Sequence, residues 1–235
     1  MAVDRQAGPR PSHGSALRRL VVDTPGSLGG RARARRWRVV CDLFPDISDM
    51  AVVDLGGTAE SWRRAPVRPK HVTVVNLLEP GKADEPWLQP ILGDACNAQD
   101  ALKAFGAPVK FDLVFSNSLI EHVGGHATRM DLAREVHALA PYHWVQTPYR
   151  YFPVEPHWLC PMMQFLPVSA RASIARWWPL AHSRASSRSD AEQEVMWIEL
   201  LGITELAAYF PSSNIVRERI AGLTKSISAV SAPRG

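Results

Sequence analysis

Apolar positions along the chain fall into short unbroken runs separated by stretches with a helical period. MAVVDLGG (50–57), HVTVVNLL (71–78), the shorter run closing WLQPILGDACN (87–97), KFDLVFSNSLIEHV (110–123) and YHWVQTP (142–148) are rich in Val, Ile, Leu and Phe and end in Gly, Asn, Asp or Pro. Such runs read as strands buried on both faces. RARARRWRVVCDLFPD (31–46) predicts a helix with Trp37, Val40, Cys41 and Phe44 on one side, stopped near Pro45. The run 110–123 predicts the fourth strand entering a helix, and the helix DLAREVHALAP (131–141) leads into the fifth strand. AEQEVMWIELLGITELAAYF (191–210) restores a helical period, and NIVRERIAG and KSISAVSA close the chain as two neighbouring antiparallel strands. Strands separated by helices or loops imply parallel pairing through right-handed crossovers. The expected fold is α/β: a Rossmann-like, doubly wound, mostly parallel seven-stranded sheet with an antiparallel last strand.

The pattern breaks after the fifth strand. Residues 149–190 are rich in Pro and aromatics and then in Arg and Ser, a long irregular insert at a strand's carboxyl end, where a doubly wound protein carries its substrate lid. Tyr151, Phe152 and Trp158 are expected to cover the sheet, while Phe165, Trp177 and Trp178 could line an apolar tunnel. At the other end, residues 1–30 read as a flexible basic arm, with SALRRLVV a short helix and TPGSLGG a linker, ahead of one domain over 31–235.

Composition narrows the classes. The chain is 46% apolar and 21% charged, an ordinary globular balance with no run long enough for a membrane span. The net charge of +4 is a property of the arm: residues 1–38 hold nine Arg against two Asp, and the other 197 residues carry 18 basic and 21 acidic groups. A solvated arm accounts for that better than a nucleic-acid site does. The arm has no secretory pattern, and Cys41, Cys96 and Cys160 are odd in number and far apart, so the expected compartment is a reducing cytoplasm. Oligomeric state is not legible.

The strand-to-loop junction VVDLGGTAESW (52–62) is the first chemical signal. A dinucleotide fingerprint needs G-x-G-x-x-G, but Thr58 and Ser61 stand at its second and third glycine positions, and no Gly-Lys-Ser/Thr follows for a phosphate loop. The order VVDLGG, VVNLLEP about 22 residues on, ILGDACN, FDLVFSNSLIEHV and VQTP, spanning about 50–148, resembles the class I S-adenosylmethionine-dependent methyltransferases, in particular the bacterial type 11 group. The resemblance implies S-adenosylmethionine as cofactor, with S-adenosylhomocysteine as product. It places Asp54, Gly56 and Gly57 by the methionyl part and Asn76, where the family usually has an acid, on the ribose, with Glu79 as substitute. Asp94, Ala95 and Leu77 would hold the adenine, and Ser116 and Asn117 would line the sulfonium side. Thr58 and Glu60 depart from the family's glycines.

On the acceptor side, the family's usage puts Glu121 and His122 at the active site. His122 is the first choice for a general base, since imidazole titrates near neutrality. TPYRYFPVEPHW (147–158) resembles a TP-x-RYFP-x-E-x-H segment of a subset of type 11 methyltransferases associated with glycan pathways. Its prolines would hold Tyr149, Glu155 and His157 over the pocket, for substrate hydroxyls or as the base. Holding a divalent metal between Glu121, Glu155 and His157 is the lesser alternative to a metal-free site. The lid's mix of aromatic, carboxylate and imidazole groups suits a polyhydroxylated acceptor, a sugar or oligosaccharide. Ala-rich and Arg-rich usage adds a resemblance to actinobacterial sugar O-methyltransferases, such as those of mycobacterial methylmannose polysaccharides. The rival expectations are a methyltransferase of an apolar lipid, quinone or aromatic metabolite, and a non-catalytic module binding the cofactor or RNA.

Overall fold

A computed structural model describes Thr24, residues 26–181 and residues 185–233. The expected helix at 15–22 and most of the basic arm lie outside them. Strands β1 (Ala51–Leu55), β2 (His71–Asn76), β3 (Leu88–Leu92), β4 (Leu113–Asn117) and β5 (Tyr142–Pro148) are parallel neighbours. The lid hairpin of β6 (Val154–Glu155) and β7 (Cys160–Pro161) stands apart, and β8 (Asn214–Ile220) and β9 (Leu223–Ser231) complete the main sheet. Its order is β3-β2-β1-β4-β5-β9-β8, with β9 antiparallel to both β5 and β8. The expected seven-stranded fold is the observed one. Strand order reverses at β1, between β2 and β4, so the crevice beyond the carboxyl ends of β1 and β4 is the topological switch point where such sheets take ligands.

The central strands are apolar on both sides because both sides are covered. On one face Val53, Leu55, Val75, Val114 and Val145 pack with helices α3 (Ala98–Ala104), α4 (His126–Leu139) and α7 (Ile203–Tyr209). On the other, Val52, Val72, Val74, Leu113 and Phe115 meet Val40 and Phe44 of α1 (Leu28–Leu43) and Trp62 of α2 (Ala59–Arg63). Trp37 of α1 stacks on Phe115 at 5.3 Å, and Trp62 sets its edge against both rings.

Three sequence expectations need correction. Helix α1 begins inside the expected linker, because Ser27 Oγ accepts from the Gly30 N–H at 3.0 Å and caps it. One such cap and the buried Val40 and Phe44 outweigh the roughly 1 kcal/mol that each glycine costs in a helix. The stretch 191–210 is two helices, α6 (Arg188–Met196) and α7. Between them the Glu199 N–H donates to Glu121 O at 2.9 Å and the Arg150 N–H to Leu201 O at 3.0 Å, tertiary bonds that replace a helical ladder, and Glu205 caps the restart by accepting from the Gly202 N–H at 2.8 Å. Strand β4 does not run into a helix, because α4 starts only at His126 and leaves 118–125 as a turn facing the crevice.

The insert after β5 has its own small core. Trp158, Cys160, Met163, Ala172 and Ala175 of α5 (Val168–Trp177), and Ala191 and Val195 of α6 pack together. Trp158 therefore does not cover the sheet, and Tyr151 is 60% exposed, stacked on Phe165. Trp177 is 78% exposed beneath Arg176, so Phe165, Trp177 and Trp178 do not form a tunnel. Among the described residues no helix is long and apolar enough to cross a membrane.

Candidate functional site

The chain leaves β1 through Gly56, whose φ of 85° lies in the left-handed region that favours glycine. Its N–H donates to Val75 O at 2.8 Å, and a Cβ there would stand 2.7 Å from Leu119 Cδ1. Gly57 is needed for a different reason: a Cβ there would fall 1.8 Å from Asp54 Oδ2. Asp54 is buried, and its Oδ2 accepts from Trp62 Nε1 at 2.7 Å while Oδ1 is buried with no partner. Burial pushes this carboxyl up to about 7, against the pull of the bonds from Trp62 and the Gly57 backbone. Thr58 and Ser61, the departures from a glycine-rich loop, form a reciprocal capping box that starts α2. Glu60 is an exposed surface group paired with Arg63 and Arg64.

Asn76 does not present a side chain to a ribose. Its Nδ2 donates to Gly56 O at 3.0 Å and Gly57 O at 2.8 Å, and its Oδ1 accepts from the Leu78 and Glu79 N–H groups at 2.9 and 3.1 Å. Two donors and two lone pairs are all an amide has. The residue ties the loop after β1 to the loop after β2, and an acid could not replace it, having no hydrogens for the two carbonyls. Asn76→Asp is accordingly expected to lower stability by about 1–3 kcal/mol, the cost of leaving partly buried acceptors unmet. A urea denaturation midpoint equal to wild type would contradict that.

The remaining cofactor candidates sit at adjoining strand ends. The register pairs Asn76 with Leu92, so Leu77, which is exposed, and Asp94 leave β2 and β3 side by side. Asp94 Oδ1 accepts from the Cys96 N–H at 2.9 Å and caps the turn holding the buried Ala95. Ser116 and Asn117 reach the crevice by position, but Ser116 Oγ donates to Leu55 O at 2.9 Å and Asn117 Oδ1 accepts from Trp144 Nε1 at 3.2 Å. Both side chains are thus anchored within the sheet at its carboxyl end.

Across the crevice, Ser118 takes a left-handed φ of 54° and turns the chain off β4. Leu119 then lies over Gly56, and Glu121 and His122 follow. Arg129 of α4 is buried and secures this turn, donating from Nε to Ile120 O at 3.3 Å and from Nη2 to Glu199 Oε2 at 2.7 Å. Glu121 is fully buried: Oε2 accepts from Thr147 Oγ1 at 2.9 Å and Oε1 has no partner. Burial raises its carboxyl above the usual range, and the nearby His157 draws it back.

His157 comes from the lid. Its ring lies 5.0 Å from that of His122 and perpendicular to it, and one ligand atom each from Glu121, His122 and His157 lie within 4.8 Å of one another. Glu155 sits behind. It is 1% exposed, its Oε2 accepts from the His157 and Trp158 N–H groups at 2.8 Å each, and its Oε1 is 2.7 Å from His157 Nδ1. Glu155 therefore builds the turn that carries His157 and orients the ring, and this replaces the expected direct role on a substrate. Tyr149 packs its ring against the main core and Tyr151. Sequence reasoning missed Thr147, Arg129 and Glu199, whose partners only the folded chain supplies. Arg129, Arg150, Glu155, Arg171, Glu199 and Glu205 border a polar cavity of about 430 Å³.

No protein-family model and no curated protein sequence matches the chain. Solved structures do. It is similar to an S-adenosylmethionine-dependent methyltransferase from Mesorhizobium loti, at 16% identity over 88% of this chain and all of that one, with a TM-score of 0.54. It is similar also to a possible exported protein from Bordetella parapertussis, at 14% identity over 95% of this chain and 81% of that one, TM-score 0.53. A third likeness is to an O-methyltransferase family protein from Burkholderia thailandensis, at 15% identity over 87% of this chain and 58% of that one, TM-score 0.50. These likenesses establish a methyltransferase-like fold.

Proposed function

We propose that the chain is an S-adenosylmethionine-dependent O-methyltransferase whose acceptor is a hydroxyl of a sugar or oligosaccharide. The observation that carries the cofactor reading is Asp54. A buried carboxyl with one unmet oxygen, at the mouth of the switch point and backed by a residue that must be glycine, is built to receive a cation, and the ammonium of the methionyl group is one. Leu77 and Asp94 would take the adenine, and the exposed Glu79 would stand in for Asn76 on the ribose. When bound, the cofactor supplies a methyl carbon already activated by its sulfonium, so the protein has mainly to place the acceptor in line and manage its proton. Glu121, His122 and His157 are the groups that face this task, behind a lid stiffened by Pro148, Pro153 and Pro156. The facing imidazoles of His122 and His157 favour a hydroxylated acceptor, and the solvent-facing Trp177 argues against an apolar one. The three cysteines, odd in number and far apart in the sequence, fit a cytoplasmic setting.

The test is calorimetry with S-adenosylhomocysteine across pH 5.5 to 8. In the free protein the Asp54 carboxyl is raised to about 7, so below that pH the ammonium must expel a proton. Affinity is expected to fall by up to tenfold per pH unit below about 7 and to level above it, since one unit is about 1.4 kcal/mol. Asp54→Asn should bind more weakly and lose this slope. By the same shift the ligand-free fold loses stability as pH rises from the ordinary 3.8 through about 7. Absence of binding at millimolar ligand would end the cofactor reading, and a pH-independent wild-type affinity would end the role given to Asp54.

A further inference from the structure

We infer that Glu121, His122 and His157 form a binding site for one divalent transition-metal cation of the zinc, manganese or cobalt class. Two imidazoles and one carboxylate are a complete protein ligand set for such an ion, with positions left over for an outside oxygen. Their candidate ligand atoms already lie within 4.8 Å of one another. Ligands at about 2.0–2.2 Å around a tetrahedral ion are roughly 3.4 Å from one another, so side-chain rotations that draw the three atoms together by up to about 1.4 Å close the site.

Two further observations point the same way. Glu121 Oε1 is a fully buried carboxylate oxygen with no hydrogen-bond partner, while its twin is fixed by Thr147. Burial of that kind is costly unless a cation compensates it. And His157 is held from behind as metal-ligating histidines are: as a carboxylate Glu155 can only accept, so Nδ1 carries the hydrogen, and in the neutral imidazole that leaves the lone pair on Nε2. Glu155 is thereby a positioning residue rather than a ligand, and the ligand set is not the Glu121, Glu155 and His157 expected from sequence. Mixed nitrogen and oxygen donors disfavour magnesium and calcium, which prefer oxygen throughout.

The role of the ion rests on the methyltransferase reading. The acceptor hydroxyl takes an open position and its oxygen, polarised by the cation, releases its proton to solvent water. That oxygen's electron pair then forms the bond to the methyl carbon as the carbon–sulfur bond breaks, its electrons staying on sulfur to leave the neutral thioether.

Metal binding is tested without turnover. Chelator-stripped full-length protein is titrated with Zn²⁺, Mn²⁺ or Co²⁺ by calorimetry and, for Co²⁺, by visible absorption. One equivalent per chain at micromolar or tighter affinity is expected, with Co²⁺ bands typical of imidazole ligation. Glu121→Gln, His122→Ala and His157→Ala should each weaken binding at least a hundredfold and Glu155→Gln by 10–100-fold. His71→Ala, at the far end of β2, should leave it unchanged. Binding that is not saturable at one equivalent, or that survives both Glu121→Gln and His157→Ala, overturns the site. If those variants fail to fold, Mn²⁺ on the wild-type chain must broaden the His122 and His157 ring resonances selectively, and uniform or absent broadening overturns it equally. S-adenosylhomocysteine binding measured on the same samples keeps the two readings separate: its absence removes the proposed role while leaving the metal titration to stand by itself.

Discussion

Gly57→Ala is expected to reduce S-adenosylhomocysteine affinity at least a hundredfold and to destabilise the protein by about 2–4 kcal/mol. The backbone of Gly57 is not in the left-handed region, so a side chain is forbidden by its neighbour alone: the new Cβ would lie 1.8 Å from Asp54 Oδ2 and 2.4 Å from its Cγ. The carboxylate cannot swing aside cheaply. Trp62 Nε1 holds it at 2.7 Å, and Trp62 is wedged against Trp37 and Phe115. Displacing Asp54 strands a buried indole donor at about 1–3 kcal/mol and adds backbone movement to that. The mechanism is separable from general loop damage. In Asp54→Ala with Gly57→Ala the steric obstacle is gone but the indole still lacks its acceptor, so the double variant should be no less stable than Asp54→Ala alone while binding does not return, a coupling that a thermodynamic cycle measures. Gly56→Ala should behave differently, since its contact is with the movable end of Leu119 but its φ of 85° adds strain. A Gly57→Ala protein that melts and binds like wild type would remove the close Asp54–Gly57 approach from the account.

That approach illustrates what the sequence carries and what it withholds. The strands were legible because burial on both faces leaves an unbroken apolar run, and the switch point follows from their order. The two glycines were legible as a loop, but not the reasons for them, because the atoms they accommodate belong to Leu119, far along the chain, and to a folded-back Asp54. Asn76 shows the limit more sharply. Its place at the end of β2 suggests a ligand contact, and only the fold reveals that all of its hydrogen-bonding capacity is used between two loops. The same holds for the break at Trp197–Gly202, where helical periodicity is intact in the sequence and is overruled by backbone bonds to Glu121 and Arg150. Local pattern reports what a segment can bury; it does not report which distant carbonyl will compete for its amides.

Glu155 carries the other large effect, and its two replacements should diverge. Glu155→Ala removes the acceptor of two backbone N–H groups and of the His157 ring, and it frees Trp158 from the turn that sends it into the lid core. Losing a buried charged partner of this kind costs about 3–5 kcal/mol, so the lid should lose its fixed structure, read as faster amide exchange in 150–178 and cleavage there by protease. Glu155→Gln keeps the shape. Its carbonyl oxygen still accepts from His157 and Trp158 N–H, and the turn survives, but its amide now donates toward Nδ1 and drives the hydrogen to Nε2. The imidazole then faces Glu121 and His122 with a hydrogen where it had a lone pair. Exchange and melting should stay near wild type while methyl transfer to a hydroxyl falls by about 10–100-fold, the loss expected when the partner that orients a metal-ligating histidine is replaced. A Gln variant that retains turnover would show that the orientation of His157 is irrelevant to the chemistry, whereas an Ala variant with an intact lid would show that the turn does not depend on the carboxylate at all.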